Sequence, residues 1–266
     1  MPTERRAADP ARTLALLWRD TGAATASPRG PKQTLTVDRV VDTAIAMADA
    51  DGLDAVTMRR VAQALDVAPM TLYTYVPDKA TLVDLMFDRT LARMARTAPS
   101  GPHWRDRLTA VAHDNRAVYE AHPWITAIPI SRPALGPGVC AKYEYELTAL
   151  EGLGLADVDQ DAALTFLLDF VAATARSAAA ARAARRDSAM SDAEWWETHA
   201  PLLEKVFDPT VYPVATRVGA AAGEELQAAY SPDHAYRFGL ARVLDGLAAL
   251  IDGGATGPIG GGATGP

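Results

Sequence analysis

The stretch Thr57–Lys79, TMRRVAQALDVAPMTLYTYVPDK, constrains this chain more than any other. It reads as two short helices joined by a tight turn. Thr57 is a suitable N-cap, because its hydroxyl can accept a bond from an amide that the first turn leaves unpaired. Met58, Val61, Ala62 and Leu65 recur at helical spacing and make one apolar face. Asp66 falls at the turn, and Asp is one of the few residues besides glycine that tolerates a left-handed backbone. Pro69 suits the first turn of the next helix, where its missing N–H costs nothing.

That second helix, Pro69 to about Tyr75, offers Met70, Thr71, Tyr73, Thr74 and Tyr75, with only Leu72 clearly suited to a core. Hydroxyls and a flexible thioether on an exposed helix, followed by Lys79, suit a helix laid in a DNA major groove. There hydroxyls reach phosphates or base edges, and a methyl or thioether meets a thymine methyl. The spacing is equally compatible with two ordinary short helices of an all-α domain.

The segment resembles the DNA-binding domain of the tetracycline-repressor (TetR) family. The resemblance is carried by the Thr-Met-Arg-Arg-Val-Ala run, Leu65-Asp66-Val67, Thr71-Leu72-Tyr73, Tyr75 and Pro77-Asp78-Lys79. Relatives more often have Gly where Asp66 stands and a polar residue where Ala68 stands; the second departure removes a helix cap. The resemblance implies that Lys79, Tyr73 and Tyr75 hold phosphates and that Arg59, Met70, Thr71 and Thr74 meet base edges. Thr57 would cap its helix and reach a phosphate. Double-stranded operator DNA, a small-molecule inducer and a second copy of the chain are the implied partners.

Composition agrees with an all-α reading. Hydrophobic residues are 49% and charged ones 22%, which fits a globular chain rather than a disordered or membrane one. Alanine dominates, and no period-2 alternation is evident. The single cysteine, Cys140, has no internal partner and reads as an inert buried thiol, so a cytoplasmic location is expected. No apolar run approaches the roughly 20 residues that span a bilayer, and Ala15–Trp18 is too short for a signal-peptide core. The histidines at 103, 113, 122, 199 and 234 lack ligand spacing, so neither a metal nor a cofactor is expected.

The charge cuts the other way. The chain carries a net −7, and residues 33–79 sum to −3, with Arg39, Arg59, Arg60 and Lys79 against seven aspartates. A basic domain is the usual footprint of a DNA binder. Asp38, Asp42, Asp49 and Asp51 lie on the preceding helix, which can hold them away from a duplex.

Four segments follow from punctuation. Residues 1–33 form a flexible basic leader of charge +3 over 1–32, with Leu14, Leu17 and Trp18 at helical spacing and a Ser27–Lys32 arm able to enter a minor groove. Residues 34–98 hold an amphipathic helix from Thr36 to Asp51 closed by Gly52, the two-helix motif, and a connecting helix from about Asp78 to Ala98. Residues 99–252 form a further domain, which the resemblance implies serves ligand binding and dimerisation. Its helices are expected at Trp104–Ala121, Gly138–Leu150 and Val158–Arg186, the last buried on several sides at its start. A lid or loop is expected at 187–194, a short helix at 211–222, and a closing helix capped by Asp233 that runs to Ile251. In the family the long and closing helices pair with their mates in a four-helix dimer interface. Residues 253–266 repeat GGATGP and read as a disordered tail.

Trp104, His113, Asn115, Tyr119, Trp124, Tyr143, Phe166 and Phe170 are the candidate ligand contacts, although each taken singly suits core packing as well. As a set they suggest, through the family, a flat, hydrophobic, partly polar inducer. Two other classes stay open at this level: an all-α enzyme with scattered site residues, and an interaction protein without DNA binding. No G-x-S-x-G, Walker loop or H-E-x-x-H motif supports the first.

Overall fold

A computed structural model describes residues 9–20, 35–128, 133–226, 228 and 230–252. Among them the fold is entirely helical: α1 Pro10–Leu17, α2 Val37–Asp51, α3 Met58–Ala64, α4 Pro69–Tyr75, α5 Lys79–Ala92, α6 Trp104–Ala121, α7 Pro137–Thr148, α8 Asp157–Ser188, α9 Asp192–Leu203, α10 Pro213–Leu226 and α11 Pro232–Asp252. Two 3-10 turns, Leu53–Ala55 and Pro123–Ala127, complete it.

The first domain forms as local chemistry dictates. Thr36 accepts the amide of Arg39 at 3.1 Å and starts α2, whose Val40, Val41, Ala44, Ile45 and Ala48 are buried. Gly52 ends α2 at φ 83°, a backbone that disfavours a side chain. Helices α3 and α4 pack over α2 and α5 through Val61, Ala62, Leu72, Val76 and Leu82, all fully buried.

Helix α5 is shorter than the sequence suggests, ending at Ala92 rather than Ala98. The amide and hydroxyl of Thr97 instead donate to Asp114 of α6 at 2.8 and 2.5 Å, so this segment bonds sideways instead of along a helix axis. The expected flexible leader also needs correction, because α1 docks on α5. Leu17 is buried, Thr13 and Thr81 hydroxyls meet at 3.2 Å, and Trp18 donates to the Leu135 carbonyl at 2.7 Å. The Ser27–Lys32 arm and the GGATGP repeats lie outside the described residues.

Helices α6, α7, α8 and α11 form the second domain, with α8 packed on both α6 and α11. The start of α8 is buried on one side only within the chain. Leu164, Leu167 and Val171 face the core, whereas Val158 and Phe166 are 80% and 54% exposed. By length and mean hydropathy alone α8 has a window apolar enough to cross a membrane, owing largely to its alanines; here Ala163, Ala172, Ala175 and Ala178 let neighbouring helices approach. The expected lid shrinks to residues 189–191, since Ser191 and Glu194 form a reciprocal cap that starts α9 early. Helix α11 begins behind Ser231, whose hydroxyl accepts from His234 at 3.3 Å; Asp233 pairs with Arg116 instead of capping. Phe238 on α11 is 59% exposed.

Candidate nucleic-acid interface and ligand cavity

The α3–turn–α4 unit is fixed by four local devices. Thr57 Oγ1 accepts from the Arg60 amide at 3.2 Å. Asp66 adopts φ 55°, and Val67 then donates back to Ala62 at 3.0 Å, turning the chain sharply. Pro69 opens α4, and Leu72 anchors it in the core. What α4 leaves outside is Met70, 74% exposed, with Thr71, Tyr73 and Thr74; Tyr75 is half-buried and packs on the core. Arg60 is held by Asp51 at 2.7 Å and by the Ala55 carbonyl, while Arg59 is exposed. Lys79 begins α5 with its Nζ 3.4 Å from the Leu53 carbonyl. One helix surface therefore presents hydroxyls and a thioether, flanked by Arg59 and Lys79.

The aspartates that made this domain acidic are largely committed elsewhere. Asp42 binds Arg89 at 2.7 Å and Arg93 at 2.9 Å, and Asp38 binds Arg89 at 3.0 Å and Arg19. Asp49 faces His122 and Trp124, and Asp78 caps α5 by accepting from Thr81 at 2.7 Å. The arginines on Asp42 hold its carboxyl below the usual value, so it stays charged and paired. The formal sum of −3 thus overstates the field at α4, since paired charges nearly cancel at a distance.

A cavity of about 700 Å³ opens between α5, α6, the Pro123–Ala127 turn, α7 and α8. Its walls are mainly apolar: Phe87 and Leu91 from α5, Ile125 and Ile128, Val139 from α7, and Leu164 and Leu168 from α8. Polar side chains interrupt them, chiefly on α7 and α8. Lys142 and Glu146 sit one turn apart on α7, and Tyr143 donates to Asp161 at 2.7 Å. Burial pushes the Tyr119 hydroxyl well above its usual titration range, keeping it a neutral donor. A second depression of about 590 Å³ lies between α9 and α10, which contribute no buried residue.

The chain matches two family models in succession. Residues 40–86 match "Bacterial regulatory proteins, tetR family", and residues 98–251 match "Tetracyclin repressor-like, C-terminal domain". The chain belongs to the TetR family. It is 42% identical over 245 residues to the HTH-type transcriptional repressor DrrR1 of Streptomyces coeruleorubidus, covering 91% of this chain and 87% of that one. Apo ActR from Streptomyces coelicolor superposes with a TM-score of 0.66 at 28% identity, covering 85% of this chain and 100% of ActR. ActR in complex with actinorhodin gives 0.66 at 27% identity, over 81% and 96% of the two chains. This TetR-family member is a transcriptional repressor and not an enzyme.

In this TetR-family repressor, two polar links join the cavity to the reading head. Asp49 of α2 accepts from Trp124 Nε1 at 2.8 Å and lies 2.7 Å from His122 Nδ1, next to the cavity residue Ile125. Asp88 of α5 accepts the Val139 amide at 2.9 Å at the start of α7. Burial raises the Asp88 carboxyl above its usual value, against the lowering effect of the Val139 and Gly138 amides. Gly136 and Gly138 make this approach possible, because a Cβ on either would collide with Asp88.

The sequence-derived ligand residues divide by place. Tyr119 and Tyr143 line the cavity. Asn115 stands behind it, donating to Glu146 at 2.5 Å. Trp104 is buried at the start of α6 under the Arg105 guanidinium, and Trp124 is spent on Asp49. His113 and Phe170 lie against Tyr236, each with ring centroids 6.0 Å away, and Phe166 is exposed. Sequence reasoning missed Phe87, Lys142 and Glu146, whose only signal is a Lys–Glu pair at i, i+4. Cys140 is corrected from a buried thiol to an exposed one on the cavity wall.

Proposed function

We propose that this repressor acts in the cytoplasm as a homodimer, reads a pseudo-palindromic operator through two α4 helices, and is released by a flat, hydrophobic, partly polar inducer held in the α5–α8 cavity. The observation that carries this reading is the double membership of α5. Its first residue, Lys79, flanks the reading helix, and its Phe87 and Leu91 line the cavity. A ligand that prefers one α5 position therefore biases the spacing of two heads, by its difference in affinity for the two states. Two heads in successive major grooves sit about one helical turn apart.

Lys79, Tyr73 and Tyr75 take phosphate contacts in this reading, Arg59, Met70, Thr71 and Thr74 take base edges, and Thr57 adds a phosphate contact to its cap. Exposed Phe166 on α8 and Phe238 on α11 support an apolar seam between two copies. The complex of ActR with actinorhodin supports a small-molecule inducer. The test is fluorescence anisotropy with the DNA flanking the gene, across a salt series, against scrambled DNA of equal length. Tight, sequence-dependent binding at dimer stoichiometry supports the proposal. Equal binding to scrambled DNA overturns its specific-operator element.

A further inference from the structure

We propose that Lys142 selects the cavity's ligand, by donating a hydrogen bond to a neutral carbonyl oxygen, keto or quinone, at the ligand's buried end. The inference rests on the reading of the α5–α8 cavity as the inducer site.

Lys142 is 9% exposed and Glu146 is 1% exposed, yet both line the cavity. The ammonium lies 2.6 Å from Glu146 Oε1 and 2.7 Å from Oε2. Asn115 Nδ2 also donates to Oε1, at 2.5 Å, and spends its other N–H on the Val111 carbonyl at 2.9 Å. An ammonium has three donors. Glu146 takes at most two, and no other described residue takes the third. Asn115 Oδ1 is also buried without a partner among the described residues, so the cluster is not closed upon itself.

A buried ion pair rarely adds stability over an apolar pair of the same shape, because desolvation offsets the attraction. Its place in the cavity wall therefore points to recognition. The pair is neutral as a unit, which favours a neutral ligand group. An anionic group would meet Glu146, Asp161 and Asp169 along the same cavity; a cationic one would meet Lys142 and Arg176. A neutral acceptor oxygen meets the spare N–H without either repulsion.

The test compares 9-fluorenone with fluorene, which share a tricyclic frame and differ in one carbonyl, by equilibrium dialysis against the full chain. Wild type is expected to prefer fluorenone by about tenfold or more, the worth of a hydrogen bond to a charged donor. Lys142→Met leaves Glu146 without its cation and can unfold the chain. Lys142→Met/Glu146→Gln removes both charges and keeps an acceptor for Asn115, so it is the deciding variant. It should bind the two probes alike, with fluorene affinity within about twofold of wild type. Equal affinities in wild type, or a preference that survives in the double variant, overturn the role of Lys142. Binding of neither probe by wild type overturns the cavity reading itself, and the selection proposal with it.

Discussion

The indole N–H of Trp124 donates to the carboxylate of Asp49 at 2.8 Å, joining the turn beside the cavity to the helix that supports the reading head. His122 Nδ1 lies 2.7 Å from the same oxygen. Asp49→Ala is therefore expected to cost about 1–3 kcal/mol, because two donors lose a charged acceptor. Urea unfolding measures it. An unchanged midpoint would show that water replaces the carboxylate without loss.

Gly138 and Gly52 separate close packing from backbone conformation. A Cβ at Gly138 would strike the Asp88 carbonyl and the Ala92 amide, both backbone atoms that cannot swing aside. Gly138→Ala should lose about 2 kcal/mol or more. Gly52 has φ 83° and ψ 166°, a backbone region nearly reserved for glycine, with open space around it, so Gly52→Ala should cost about 1–3 kcal/mol of conformational strain alone. Thermal unfolding of both variants gives the order, and a milder effect at Gly138 would mean that α5 and α7 can part easily.

Two aspartates on facing helices should respond oppositely to pH. The Asp42 carboxyl is lowered below 3.8 by Arg89 and Arg93, so its stabilising contribution is present above 3.8 and lost as pH falls through the folded value. Asp88 is raised by burial, so its contribution is full below 3.8 and is lost as pH rises through its folded value. Asp42→Asn should flatten the acid side of the stability profile and cost under about 1 kcal/mol at neutral pH, since the pair is partly solvated. Asp88→Asn should flatten the other side. Urea midpoints between pH 3 and 7 would decide, and identical profiles for both variants and wild type would refute the assignment.

Cys140 is exposed on the cavity wall and is the chain's one cysteine. A maleimide should label the native protein once, and the adduct should lower fluorenone affinity about tenfold or more by filling the space. Labelling that needs denaturant would place the thiol elsewhere.

Lys79 and Arg59 flank α4 with different expected duties. Lys79→Ala should weaken binding to all DNA sequences alike and lower the salt slope by about 0.9, the mark of one phosphate contact. Arg59→Ala should instead relax preference at one base position, worth about 1–3 kcal/mol. Titrations against operator variants distinguish them. An Arg59 variant that keeps full base preference would remove it from the reading set.

Much of the first domain was legible because its determinants are local. The caps of Thr36 and Thr57, the left-handed Asp66, and the span Pro69–Tyr75 each follow from a few adjacent side chains, and the structure reproduces them. The acidity that argued against DNA binding was also a true property of the sequence, but its meaning was not. Asp38 and Asp42 meet arginines about 50 residues away on α5, and only tertiary packing shows that their charge is committed.

The second domain shows the reverse balance. Periodicity found α6 at its observed bounds, because one apolar face per helix is enough to mark it. It could not say where α5 stops, since Asp114 captures Thr97 from another helix. Nor could it separate Tyr119 and Tyr143, on the cavity, from Phe166 and Phe170, off it, because an aromatic residue looks the same on either face. The sequence by itself determined most of the helices, the caps of the first domain and the family. The fold alone decided which buried polar groups converge, for Asn115, Lys142 and Glu146 meet only when α6 and α7 pack, and hydrogen bonding is settled by distance rather than by residue type.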